Sequence, residues 1–288
     1  MSINLAELWR VIVLGIVEGI TEFLPISSTG HLIVFADFLK FEGSVGGTFE
    51  IFIQLGAVLA VVWFYRRDLW RQLGAVLALI WFYLRGLRRP VQGPPPDQTV
   101  PRFWLNVLIA FLPAAVVGLV LHDWIKAHLF RSAVVAVAMI VGGVVLLLVE
   151  RRDHSVGTAS LYDVSPKQAL GVGLAQTLAL IPGASRSASS IIGGLLSGLD
   201  RPTATAFSFY LAIPTLGLAT VFELIKSLDQ ITAGDVLNLA LGTAVSFVVS
   251  LVVIGWLLRY IAHHNFKPFA VYRIVAGLLV LVWALWLA

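Results

Sequence analysis

Two short stretches carry the residue types that do chemistry in an otherwise apolar chain. The first runs Glu18-Gly19-Ile20-Thr21-Glu22-Phe23-Leu24-Pro25-Ile26-Ser27-Ser28-Thr29-Gly30-His31. Glu18 and Glu22 are four residues apart, so on a helix they share one face. Two carboxylates side by side in a low-dielectric setting repel, and they persist only with a proton or a cation between them. Such oxygen donors suit hard divalent cations, Mg²⁺ or Ca²⁺. After Pro25, the hydroxyls of Ser27, Ser28 and Thr29 sit close to His31 in sequence. A hydroxyl beside an acid or base is a candidate nucleophile, although the same residue types also cap helix starts. The second stretch is Pro182-Gly183-Ala184-Ser185-Arg186-Ser187, continuing to Ser190. Arg186 lies in apolar surroundings, so an anion must compensate it: Glu18 or Glu22, or phosphate oxygens, which its planar fork matches. The small residues around it free backbone N–H groups at a helix start, a cradle for anions. Neither stretch has the P-loop pattern, so nucleotide binding has no support.

The elements that position these residues are set by composition. Of 288 residues, 59% are hydrophobic and 12% charged, and mean hydropathy is +0.92. Soluble domains carry about twice that charge fraction. Apolar stretches near the roughly 20 residues a spanning helix needs occur at 103–122, 132–149, 205–224, 236–258 and 268–288. Alternation of the membrane-barrel kind is absent, which leaves an all-α polytopic membrane protein. No cysteine is present, which removes disulfides, thiol nucleophiles and thiolate metal sites. The formal charge of +4 does not point to nucleic acid, because the basic residues sit between spans, where topology explains them. Glu18 and Glu22 interrupt the first apolar stretch, which also lacks a basic leader, so it does not read as a signal peptide.

Arg and Lys mark cytoplasmic loops. The loops at 66–102 (with its Pro94-Pro95-Pro96 run), 151–167, 259–267 and Arg201 hold 13 of the 20 basic residues. Threading the chain on that basis gives six spanning helices plus two re-entrant helical hairpins, at 8–41 and 167–199, broken at Pro25 and at Pro182-Gly183. The segment 68–85, apolar but flanked by Arg, reads as an interfacial helix. Residues 1–150 and 151–288 each supply one hairpin and three spans, and they resemble one another weakly. Pro25-Ile26-Ser27-Ser28 parallels Pro182-Gly183-Ala184-Ser185, and Phe49 and Phe52 parallel Phe207 and Tyr210. An odd number of spans per repeat makes the topology inverted, with the hairpins meeting tip to tip at the midplane. Elsewhere, Glu50 and Gln54 lie one turn apart and line the cavity. Arg273 snorkels to the cytoplasmic interface, Glu223 is interfacial, and His263-His264 needs no metal.

The two motifs resemble the signatures of bacterial undecaprenyl-diphosphate phosphatases, the family linked to bacitracin resistance. Glu18 to His31 matches the first. Pro182 to Ser187 matches the second, followed by Ser190 where the family usually has threonine and with Ala188 where glycine is common. Thr48-Phe49-Glu50, Ile53-Gln54-Leu55-Gly56 and Pro268-Phe269-Ala270-Val271-Tyr272-Arg273 extend the likeness along the chain. The resemblance implies hydrolysis of undecaprenyl diphosphate to the monophosphate, recycling the carrier lipid of cell-wall synthesis. It also implies a divalent cation (Mg or Ca) and an inner-membrane site facing the periplasm or cell exterior. On that basis Glu18 and Glu22 hold the metal or assist proton transfer, Ser28 is the leading nucleophile, and His31 is the acid, with nucleophilic His31 as the rival assignment. Arg186, Ser185 and Ser187 bind the diphosphate, and Ser27, Thr29, Ser190 and Gln54 are further substrate contacts. The implied partners are a polyprenyl diphosphate lipid and membrane lipids, with no nucleic acid; whether the chain forms a homodimer stays open.

Two other classes compete. Inverted repeats with broken helices also build secondary transporters and lipid translocases, which would hold an anion at Arg186 and release no phosphate. A membrane serine protease would need a peptide-cleaving base, and no GxSxG-type turn is present.

Overall fold

A computed structural model describes residues 5–41, 48–86, 96–154, 156–227 and 235–286. These form α-helices, two 3₁₀ turns and one isolated bridge, Thr158 to Leu199. The first chemical stretch is a broken pair, α1 (Leu5–Thr21) and α2 (Ser28–Phe38). There follow α3 (Thr48–Phe64), α4 (Arg66–Gly86), α5 (Thr99–Leu129) and α6 (Ser132–Val149). The second broken pair is α7 (Pro166–Gln176) and α8 (Arg186–Leu196), with a 3₁₀ turn at Thr177–Leu180 between them. Then come α9 (Arg201–Ser227), α10 (Val236–Ile261) and α11 (Lys267–Trp286). Arg88, Arg89, Pro94, Pro95 and the expected end of the last span at Ala288 lie outside the described residues.

Among the described residues, α5, α6, α9, α10 and α11 are each long and apolar enough to cross a bilayer, and α3 with α4 makes a sixth candidate. The spans at α5 and α9 run past their expected ends and contain Pro113 and Pro214. Proline is tolerated inside membrane helices where neighbouring helices, hydroxyl side chains or local adjustments of the backbone can satisfy the freed carbonyl. α4 leaves α3 at a bend of 71°. Its Trp70, Leu73, Leu77, Trp81 and Leu84 form an exposed apolar stripe, as an interfacial helix requires. α7 and α8 have 11 residues each, about 17 Å at 1.5 Å per residue. That is near half the roughly 30 Å hydrocarbon thickness, and they pack against one another as a hairpin.

Local chemistry explains both breaks. Ile181-Pro182-Gly183-Ala184 closes a turn through the Ala184 N–H to Ile181 carbonyl bond of 3.0 Å. Gly183 has φ +93°, the conformation a type II turn demands at its third residue, after proline at the second. Ser27 (φ 77°) and Ser185 (φ 70°) then adopt left-handed backbone that side-chain-bearing residues seldom take. Each caps the helix that follows, Ser27 accepting from the Gly30 N–H and Ser185 from the Ala188 N–H. This shared geometry pairs Ser27 with Ser185, one residue off the Ser28–Ser185 alignment that the sequences suggest, so Ser28 corresponds to Arg186.

Packing sets the tips. α6 lies along α11, α3 meets both α10 and α9, and α1 packs on α10 as α7 packs on α5. α1 approaches α10 through Gly15 and Gly19: a Cβ on Gly19 would sit 2.7 Å from Val249 Cβ and 3.0 Å from the Ser246 carbonyl. This small-xxx-small contact is a membrane substitute for hydrophobic burial, and it orients the Glu18 and Glu22 face. The main apolar core gathers Phe23, Phe103, Phe207, Phe209 and Leu257. Away from the tips, the fully buried Glu150 side chain accepts from Arg201 at 2.7 Å and from the Phe266 N–H at 3.1 Å, joining three elements.

Gly19→Val should lower the unfolding temperature in detergent, an overpacking cost of about 1–3 kcal/mol. Gly74→Ala, in α4 with open space around it, should instead gain up to about 1 kcal/mol of helix propensity. Differential scanning fluorimetry of both variants checks the sign.

Candidate active site

The two hairpin tips meet, and Arg273 is the residue that joins them. It is fully buried, not snorkelling as the sequence suggests. Its guanidinium donates to the carbonyl of Pro25 in the first tip at 3.3 Å and to those of Gly183 and Ala184 in the second at 3.1 and 2.9 Å. Ala138 and Met139 of α6 accept two longer bonds of 3.4 Å each. No carboxylate pairs with it among the described residues. The carbonyls are those that broken helices leave orphaned, and Gly142 makes room for the guanidinium because any Cβ there would fall on it. Distance from the helix end alone favours snorkelling, but the hairpin tips need donors at the depth of Arg273.

With the tips joined, the functional side chains fall together. Ser28, the first residue of α2, donates its hydroxyl proton to Glu22 Oε2 at 2.5 Å. Arg186, the first residue of α8, donates through Nε to Glu22 Oε1 at 3.2 Å. Its Nη1 donates to the Ser208 carbonyl at 3.0 Å, while its Nη2 is buried without a partner among the described residues. Glu18 is fully buried, and among the described residues neither of its oxygens has a hydrogen-bond partner; its charged neighbours there are Glu22, Arg186 and Glu50. The site thus joins two helix N-termini, a carboxylate holding a hydroxyl, and a guanidinium with unused donors. Helix N-termini and guanidinium donors favour a bound anion.

The remaining predicted residues divide. Ser185 Oγ lies 3.1 Å from Ser187 Oγ, and Ser187 donates to the Leu24 carbonyl at 2.8 Å, a second link between tips. Ser190 donates to the Arg186 carbonyl at 2.9 Å and lies 2.7 Å from Ser208 Oγ. Ser27 caps α2. Thr29 and Gln54 are half-buried and make no side-chain hydrogen bond to either hairpin. His31 is near the tip but makes no bond to Ser28 or Glu22: Nδ1 lies 2.7 Å from the Ser27 carbonyl and Nε2 2.7 Å from the Tyr272 hydroxyl. Glu223, expected at the interface, pairs with Lys126 and His122. Sequence reasoning missed Ser208, Tyr272 and Arg273 as parts of the site.

Glu18 also bears on the implied cation. Its orphaned oxygens, with Glu22 alongside, fit a hard divalent ion, although no group of three or more His, Asp or Glu ligands is assembled among the described residues. Any such ion would draw its other ligands from substrate oxygens and water, as Mg²⁺ commonly does.

A helical multi-pass membrane protein whose two hairpin tips bring a guanidinium, a hydroxyl and a shared carboxylate together is the class these features define. The chain belongs to the bacitracin resistance protein BacA family, whose model matches residues 11–279. An undecaprenyl-diphosphatase of Deinococcus radiodurans is 48% identical over 274 residues, 94% of this chain and 93% of that protein. Proteins of the same name from Pseudomonas syringae pv. syringae (46% over 278 residues, 96% and 94% covered) and Nitrosospira multiformis (48% over 277, 96% and 95%) are similar to it along the same length.

Arg273→Met should leave the tip carbonyls without donors, at about 1–3 kcal/mol for each unsatisfied group. Unfolding in detergent should show a loss of roughly 3 kcal/mol or more. Arg259→Met, at an exposed residue bonded only to the Gly255 carbonyl, should stay within about 0.5 kcal/mol.

Proposed function

We propose that this chain hydrolyses undecaprenyl diphosphate to undecaprenyl phosphate and inorganic phosphate, recycling the carrier lipid of cell-wall synthesis in the bacterial inner membrane. The observation that carries the reading is Arg186: Nε and Nη1 are held by Glu22 and Ser208, and Nη2 is left buried with its donors unused. A terminal phosphate oxygen supplies the missing acceptor. The undecaprenyl-diphosphatase relatives, similar over more than nine-tenths of the chain, support the same substrate.

In this reading the terminal phosphate rests on Arg186 Nη2 and the N–H groups that begin α2 and α8. Ser28 Oγ attacks phosphorus as its proton passes to Glu22, and the bond to the bridging oxygen breaks. His31 serves the leaving lipid phosphate as acid, and water then cleaves the phosphoserine. The 2.5 Å Ser28–Glu22 bond favours Ser28 over His31 as nucleophile, because both ring nitrogens of His31 are already engaged. Glu18 and Glu22 would hold a divalent cation, which when bound would offset phosphate charge and polarise phosphoryl oxygens. Residues 1–150 and 151–288 act as inverted repeats, with the site opening to the periplasm or cell exterior and the prenyl tail reaching it from the bilayer.

Phosphate release from undecaprenyl diphosphate by purified protein, with Mg²⁺, Ca²⁺ or a chelator, tests this. Glu22→Gln and Arg186→Ala should each lower kcat/KM at least about 100-fold, the scale of losing a general base or a charge-stabilising donor. Chelation should abolish turnover. Full activity in either variant would remove the proposed roles, and anion flux without phosphate release would favour a transporter.

A further inference from the structure

His31 has two ring nitrogens, and both are occupied in a way that fixes where its proton can go. A carbonyl oxygen only accepts, so Nδ1, 2.7 Å from the Ser27 carbonyl, must carry a hydrogen. In the neutral ring Nε2 therefore holds the lone pair. The partner of Nε2 is the Tyr272 hydroxyl, at 2.7 Å, which donates to it. The two rings lie parallel, 6° apart in plane with centroids 5.6 Å apart, so the contact fixes orientation as well as distance. His31 is 9% exposed, whereas Tyr272 is 46% exposed. The imidazole has no other hydrogen-bond partner among the described residues, and its outward side is the phenol.

We infer that Tyr272 is a further catalytic residue: its hydroxyl is the group through which His31 exchanges its proton with the leaving phosphate. This rests on the phosphatase reading and on the acid role given to His31. Between turnovers water protonates Nε2 by way of the exposed phenol; in the reaction that hydrogen passes back to the phenol oxygen as the phenol hydrogen passes to the leaving phosphate oxygen. Tyr272 ends as it began, His31 becomes neutral, and the lipid phosphate departs with one proton. In the resting enzyme the same hydroxyl turns round and donates to the Nε2 lone pair.

Tyr272→Phe keeps the stacked ring and removes only the hydroxyl. With undecaprenyl diphosphate as substrate, kcat should fall about 100-fold, at the lower end of the range for acid–base groups, with KM within threefold. On a His31→Gln background the same change should cost nothing further, since the two act as one unit. Independently of activity, ¹⁵N spectra of histidine-labelled protein, with His31 assigned by its loss in His31→Gln, should show Nδ1 protonated. The Nε2 resonance should move toward an unbonded imine position in Tyr272→Phe. Unchanged kcat, additive losses or an unmoved Nε2 signal would each overturn the relay. Should the variant fold poorly, 3,5-difluorotyrosine at 272, nearly the same shape with a more acidic phenol, must shift the pH dependence of kcat, and an unshifted profile also overturns it. If wild-type protein releases no phosphate, the phosphatase reading fails, while the spectra still decide whether Tyr272 holds Nε2.

Discussion

A chain that breaks its helices inside a membrane must find hydrogen-bond donors for the carbonyls it strands there, because hydrocarbon offers none. In this protein one buried guanidinium meets that need for both breaks. Arg273 reaches Pro25 in one hairpin and Gly183 and Ala184 in the other, so the condition for breaking either helix is that the other be broken beside it. The usual cost of burying an unpaired cation is offset by carbonyl dipoles rather than by a carboxylate. On the proposed function that choice bears on the chemistry, because a carboxylate partner for Arg273 would add negative charge to the hairpin junction at which a phosphate is proposed to bind.

The charges that remain are disposed around that fixed junction. Glu22 is shared between Ser28 and Arg186, and Glu18 has no partner for either oxygen among the described residues. One guanidinium against two neighbouring carboxylates leaves the empty site negative if both are ionised, which opposes a diphosphate unless a cation or proton enters with it. On the proposed function, cation and substrate would be thermodynamically coupled, each improving the site for the other.

Much of this was legible in the sequence, and the reasons are specific. The apolar spans, the two helix breaks and the meeting of Glu22 with Arg186 follow from hydropathy, from Pro25 and Pro182-Gly183, and from the need to compensate buried charge. Arg273 was misread because its partners are backbone carbonyls from distant segments, which carry no residue-type signal. Tyr272 was invisible for a related reason: a tyrosine near the end of a span is ordinary as an interfacial residue, and only the fold brings it to His31. The one-residue error in aligning the halves came from matching serines by type, whereas the left-handed backbone at Ser27 and Ser185 fixes the correspondence.

That correspondence separates architecture from chemistry. The two caps are alike, yet the residue after each is different: Ser28, held by a carboxylate, opens α2, and Arg186 opens α8. Two identical halves related by a true dyad would set hydroxyl against hydroxyl or guanidinium against guanidinium, and neither pair combines attack with charge stabilisation. A single chain with unlike residues after alike caps avoids that degeneracy, and it sets a hydroxyl and a guanidinium on the two oxygens of one carboxylate, Glu22.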